Sequence, residues 1–172
     1  LLPMGLSTME VIDRLRTRLS NLTPLEPRVL PTGPVLENRY IGEEVNILDI
    51  PVPRWHSGDG GRYLGTAHLV VTRDPETGAE NVGCYRVMVH EPDKLALYIS
   101  PGKHGRMHME KTLRAGKPVQ VAMAFGQHPL MFVAASQAVP PGVSEYAWAG
   151  GLVEQPLSVI EAPLTGLRVP AA

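Results

Sequence analysis

The stretch "AENVGCYR", Ala79 to Arg86, sets an asparagine at the opening of a strand-like run and an arginine among apolar neighbours further along it. An amide oxygen is a hard donor suited to Mg2+ or Mn2+. The apolar neighbours make Arg86 read as buried, and a buried arginine on a strand calls for a carboxylate or phosphate, because an unpaired charge there is costly. A structural ion pair is the plainer role for Arg86. Asn81 and Arg86 are an odd number of residues apart, which sends side chains to opposite faces of a regular strand. They can serve one pocket only if Asn81 sits at the strand mouth or Gly83 marks a bulge, and a bulge near Gly83 is the expectation.

Two further segments carry chemistry. "SPGKHGRMH" holds His104 between Gly102 and Gly105 at the start of a helical pattern, where backbone amides favour an anion and Lys103 or Arg106 could assist. A surface or helix-start histidine is the bland alternative. In "AASQAVPPGVSEYAWAGG", Ser144 can cap a turn and leave Glu145 pointing inward at a cation. A carboxylate complementing a first helical turn is common as well. Asn81, His104 and Glu145 together would make a mostly hard donor set for Mg2+ or Mn2+ bridging a phosphate. With no CxxC or HExxH, a zinc enzyme is not indicated. The glycine pattern is neither a Walker loop nor a Rossmann fingerprint.

These residues need elements to position them. "STMEVIDRLRTRLSNL" reads as a helix, with Ser7 and Glu10 as a capping box and Val11, Ile12, Leu15 and Leu19 as an apolar stripe to pack on a core. "YLGTAHLVVTRD" and "NVGCYRVMVH" read as a long hairpin around "DPETG", and "KLALYIS" and "KPVQVAMAFG" as further strands. "HGRMHMEKTLRAG" and "PLMFVAASQA" have helical character, "SEYAWAGGL" reads as a short helix or turn, and "PLSVIEA" and "LRV" supply late strands. A loop rich in proline and glycine carries Trp55, His56 and Asp59, more often packing than chemistry. Met88, Met107 and Met109 are expected in the core. Strands dominate without regular βαβ alternation, so the class is α+β around an antiparallel sheet or barrel.

The totals narrow the field. At 172 residues with net charge -1, one domain and no nucleic-acid footprint are expected. Gly and Pro number 17 each without a repeat, which indicates many turns and short strands. The single cysteine, Cys84, excludes an internal disulfide and fits a reducing compartment, so a cytoplasmic location is expected. Nothing approaches the ~18 consecutive apolar residues of a membrane span.

Read in order, "RDPETGAENVGCYR", "SPGKHG", "GKPVQVAMAFGQHP" and "AASQAVPPGVSEYAWAGGL" resemble the central domain of the UbiD-type decarboxylases, carboxy-lyases that use prenylated FMN. The likeness runs from about Thr32 to the C-terminus and includes the His-x-x-Asp-Gly-Gly loop at His56. It implies an antiparallel split β-barrel of the flavin-reductase-like type with a few flanking helices. The expected organisation is a helical arm over 1–26 and a prenylated-FMN-binding domain over 27–172.

Residue by residue, the resemblance implies that Asn81, His104 and Glu145 hold a divalent metal, Mn2+ or Mg2+, against the flavin phosphate. Arg86 matches the arginine beside the reacting centre, against the cofactor, holding the substrate carboxylate and joining a carboxylate network. Ala134, Ala135, Ser136 and Gln137 match a segment contacting K+ and the phosphate. The implied reaction is non-oxidative decarboxylation of an aromatic or α,β-unsaturated acid. A flavin prenyltransferase would supply the cofactor, and the full-length enzyme is expected to self-associate. In the family, a segment like "EIVLEG" with two catalytic glutamates follows the position of Pro170–Ala171, and Glu154 and Glu161 fall outside that motif. The chain is therefore expected to be part of a larger enzyme and inactive alone. The alternatives are a non-catalytic flavin- or phosphate-binding module acting in assembly, or a split-barrel flavin reductase needing a nicotinamide site.

Overall fold

The computed structural model describes residues 7–65 and 67–172; the first six residues of the expected arm, and Thr66, lie outside the described residues. Helix α1 (Thr8–Ser20) opens on the expected capping box, the Ser7 side chain accepting from the Glu10 amide and Glu10 reaching back. Its apolar stripe is only partly covered: no residue of α1 is buried, and Ile12 and Leu19 remain about half exposed. Arg18 ties the helix to the rest, donating to the Leu152 carbonyl at 3.1 Å and pairing with Glu154 at 2.9 Å.

After β1 (Arg28–Val29) the chain makes three short 3-10 turns, over Pro34–Leu36, Gly42–Glu44 and Ile47–Asp49. Next come β2 (Tyr63–Gly65), β3 (Leu69–Arg73), β4 (Glu80–Gly83), β5 (Arg86–Glu91) and β6 (Lys94–Tyr98). Helix α2 (His104–Arg114), β7 (Ala122–Ala124), α3 (Pro129–Ser136), α4 (Glu145–Val153), β8 (Ser158–Glu161) and β9 (Arg168–Pro170) complete the order. The expected fourth strand "KPVQVAMAFG" is paired only over Ala122–Ala124.

The long hairpin is present but broken in the middle. Its tip, β3 with β4, belongs to a sheet of order β4-β3-β7, and its base, β2 with β5, to one of order β2-β5-β6. From Gly65↔Val87 to Val70↔Gly83 one side advances five residues and the other four, so the extra residue lies on the β2–β3 side. The expected bulge at Gly83 is thus a change of sheet at Cys84–Tyr85. It settles the parity conflict, because Asn81 and Arg86 stand on different strands. A third sheet, β1-β8-β9, pairs β1 with β8 in parallel and β8 with β9 antiparallel. Among the described residues the sheets stay separate and no barrel closes, so the class is α+β and the closed antiparallel barrel is not seen. Interrupting the hairpin ladder leaves no continuous row of strands to curl round.

The core forms where β3, α3, α4, β8 and β9 meet, around Leu69, Val71, Met131, Tyr146, Ile160 and Leu167. Tyr146 buries its ring there and donates its hydroxyl proton to the Arg168 carbonyl at 2.7 Å. Glu80 on β4, its side chain only 3 % exposed, accepts from Arg73 and Arg168 at 2.7 Å each and joins β4 to β9. Met88 and Met109 are half buried, whereas Met107 faces outward at 44 % exposure, a correction to its expected core place. Met107 lies on the solvent side of α2, whose inward face is Gly105 and His108.

Polar contacts hold α2 on β3. The Thr72 hydroxyl and His108 Nδ1 are 3.1 Å apart, and Lys111 pairs with Asp74 at 2.7 Å. The Lys111 ammonium, with help from the Glu76 amide, lowers the Asp74 carboxyl from 3.8 to about 2. A depressed carboxyl contributes stability that is present above its unfolded value and is lost as pH falls through its folded one, here through about 2. Asp74→Asn should therefore melt below wild type near neutral pH. The gap should close as circular-dichroism melts are taken from about pH 4 towards pH 2, and a constant gap would contradict the pairing.

Candidate functional site

At the end of β4 the backbone leaves its sheet, so its amides must find other partners. Val82 N–H donates to the Glu145 carboxylate at 3.1 Å, and Cys84 N–H donates to the Ala135 carbonyl at 3.2 Å. These two bonds draw the first residue of α4 and the last turn of α3 onto the strand end. Ser144 caps α4 by accepting from the Ala147 amide at 3.0 Å, which leaves Glu145 turned inward, only 6 % exposed.

The junction borders a cavity of about 500 Å³ lined by Asn81, Gly102, Lys103, His104, Ala135, Ser136, Gln137 and Glu145, with Phe132 and Val139 among the apolar walls. Three of the expected donors, Asn81, His104 and Glu145, therefore share one space, although they are far apart in sequence. Asn81 is buried, and its Nδ2 donates to Tyr85 Oη at 3.0 Å. His104 opens α2 and is exposed; Lys103, the residue before it, caps the helix without a side-chain hydrogen bond. First-turn amides, Lys103 and the N-terminal end of the α2 dipole give this wall an anion-binding character.

Glu145 supplies the opposing charge. Burial pushes its carboxyl above the ordinary value, while its own amide, the Val82 amide and the nearby His104 act the other way. A buried carboxylate held by few donors suits a cation, and an amide oxygen, an imidazole and a carboxylate make the hard set that Mg2+ or Mn2+ prefers. No group of three or more His, Cys, Asp or Glu placed to hold a metal occurs among the described residues, and the present set contains only two such side chains.

The remaining expected residues divide. Ser136 and Gln137 are exposed at the C-terminal end of α3, and the Ser136 hydroxyl donates to the Val133 carbonyl at 2.9 Å. Ala134 lies in the core, and its carbonyl accepts from the Gln137 amide at 3.2 Å instead of facing the cavity. Arg86 is exposed, not buried, and the buried Glu80 carboxylate is paired with Arg73 and Arg168 instead. It borders a second cavity of about 630 Å³ with Trp55, His56, Asp59 and Tyr63. Trp55 is 58 % exposed there, and Asp59 shapes the loop by accepting from the His56 amide at 2.9 Å. Cys84 and Tyr85 line both cavities and form the ridge between them.

The sequence reading passed over Tyr85 and the Val82 amide. The signal for Tyr85 was the pair Gly83 and Gly105. A Cβ at Gly83 would overlap the tyrosine ring, and one at Gly105 would stand 3.0 Å from it. No residue type could have signalled the Val82 amide.

The family model of the UbiD 3-octaprenyl-4-hydroxybenzoate carboxy-lyase Rift-related domain matches residues 28–172. Pyrrole-2-carboxylic acid decarboxylase of Pseudomonas aeruginosa is 36 % identical over 170 residues, which are 99 % of this chain and 34 % of that protein. An evolved dimeric form of the UbiD-class enzyme HmfF from Pelotomaculum thermopropionicum, solved with prFMN, superposes with a TM-score of 0.83 at 32 % identity, covering 98 % of this chain and 39 % of that one. The closed form of vanillic acid decarboxylase from Sedimentibacter hydroxybenzoicus gives 0.87 at 29 % identity, covering 98 % and 37 %. The chain spans about a third of the length of the curated relatives it matches.

If the Val82–Glu145 bond organises the junction, substitutions at Glu145 should separate by acceptor. Glu145→Ala leaves a buried amide unsatisfied and should lose about 1–3 kcal/mol in urea unfolding. Glu145→Gln retains an acceptor oxygen and should lose clearly less. Equal losses would show that this bond is not what closes the junction.

Proposed function

The chain belongs to the UbiD family of carboxy-lyases, and from that membership we propose that it is the cofactor- and metal-binding part of a prenylated-FMN-dependent decarboxylase acting on an aromatic or α,β-unsaturated carboxylic acid. The observation that carries this reading is the meeting of Asn81, His104 and Glu145 on one cavity, with Arg86 across a two-residue ridge. The fold is read as part of a split barrel whose domain begins near residue 27, with the preceding helix as an arm.

Asn81, His104 and Glu145 would hold Mn2+ or Mg2+ against the cofactor phosphate, with Lys103 and the first amides of α2 on the anion's other side. Ala135, Ser136 and Gln137 would contribute backbone and hydroxyl oxygens to K+ and the phosphate, with Ala134 supporting that turn from the core. When bound, prenylated FMN supplies the electron sink for loss of CO2. Arg86 has the planar, permanently charged head that grips a carboxylate through two parallel hydrogen bonds, orienting it before it leaves. Its exposure keeps that head available. Proton delivery needs a carboxylic acid near the reacting carbon. Glu154 is paired with Arg18, and neither it nor Glu161 lines either cavity. Asp59, on the Arg86 cavity, is engaged by the His56 amide, and Glu145 by the Val82 amide; from the family membership the donor is proposed to lie in polypeptide other than these 172 residues. A flavin prenyltransferase as cofactor supplier, self-association of the longer protein and a cytoplasmic setting belong to the same reading.

The test is retention of prenylated FMN after co-expression with a flavin prenyltransferase in the presence of Mn2+ and K+, followed by absorption and native mass. Wild type should retain the flavin, and Asn81→Ala and Glu145→Ala should release it. In the longer protein, Arg86→Ala should keep the flavin but lower kcat/KM by roughly 10- to 100-fold, the loss of hydrogen bonds to a charged group. Folded Asn81→Ala and Glu145→Ala proteins that keep the flavin as wild type does would refute the assignment.

A further inference from the structure

Tyr85 is not among the proposed metal or phosphate ligands, yet it touches the supports of two of them. Its Oη accepts from Asn81 Nδ2 at 3.0 Å. Its ring fills the slot between Gly83 and Gly105, where a Cβ on Gly105 would stand 3.0 Å from Oη. Gly105 directly follows His104 in the first turn of α2. One side chain thus spans the end of β4 and the start of the helix that presents the histidine.

We propose that Tyr85 is a positioning residue that fixes the Asn81 amide and the first turn of α2, so that Asn81 Oδ1 and the His104 imidazole face a divalent cation together; this rests on the reading of Asn81, His104 and Glu145 as a cation site. An asparagine amide is nearly symmetric in shape, and its two orientations differ only in which end donates. Turned one way it offers a cation an oxygen; turned the other way it offers N–H groups that repel it. Committing Nδ2 to the phenol leaves Oδ1 as the end available to the cavity. Burial raises the pKa of the phenol, the Asn81 amide and the Gly105 backbone act the other way, and the Glu145 charge adds to the rise. Partners that orient ligands in this way typically change metal affinity by about 10–100-fold when removed.

Phenylalanine fills the same slot without Oη, so Tyr85→Phe separates orientation from packing. The probe is Mn2+ with saturating FMN, free manganese being read by electron paramagnetic resonance for wild type, Tyr85→Phe and Asn81→Ala. Alongside it run thermal unfolding and NMR hydrogen exchange of the Gly105 amide and the Asn81 side-chain amide. Tyr85→Phe should fold, bind Mn2+ roughly 10- to 100-fold more weakly, and lose protection at both amides. A lower melting temperature with unchanged Mn2+ affinity would mean a packing role and overturn the proposal, the cation site standing if Asn81→Ala still abolishes binding. Unchanged affinity in both variants, or no Mn2+ binding by wild type, would remove the cation site and the proposal with it.

Discussion

A strand that changes sheets within two residues must satisfy the backbone groups its ladder no longer uses, and this requirement organises the molecule. At Cys84–Tyr85 the chain passes from the sheet of β3 and β4 to that of β2 and β5. The amides before and at that step reach the Glu145 carboxylate and the Ala135 carbonyl. Leaving either unpaired in a buried setting would cost about 1–3 kcal/mol. Satisfying them places the start of α4 and the end of α3 against the strand end, and a cavity follows from three element termini meeting where none can fill the space.

Two buried glutamates show how the same residue type divides between structure and site. Glu80 is enclosed by two guanidinium groups and spends its oxygens on joining β4 to β9. Glu145 accepts from backbone amides and lies near one histidine, and burial raises its carboxyl. A saturated carboxylate has nothing left for a ligand, whereas an under-neutralised one on a cavity wall is stabilised by an incoming cation. His108 falls on the structural side. Although its ring faces Thr72 and lies 3.9 Å from Asp74, it borders neither of the two cavities and serves to seat α2. His104, one turn earlier, is the histidine with room for chemistry.

The ridge of Cys84 and Tyr85 links the two proposed halves of the site. A ligand reaching from the wall of Lys103 and His104 to Arg86 has to cross it, since these two residues border both cavities. A Cβ on Gly83 would overlap the Tyr85 ring and one on Gly105 would press against it at 3.0 Å, which makes the crossing point a tightly packed piece of backbone.

The helix starts and their caps were legible in the sequence, because Ser7 with Glu10 and Ser144 before Glu145 act within one turn and depend on neighbours alone. So were the hairpin around "DPETG" and the α+β class, which follow from local alternation and turn residues. The donors Asn81, His104 and Glu145 were singled out by residue type, and their spacing could not show that they meet. That meeting depends on hydrogen bonds between residues far apart in the chain, such as Val82 with Glu145. Periodicity also gave no warning that one hairpin would serve two sheets. It treated Arg86 as buried because its neighbours are apolar, whereas the change of sheet exposes it beside a different cavity. Local chemistry is written in adjacent residues; which backbone amide must seek which distant carboxylate is decided only when the elements pack.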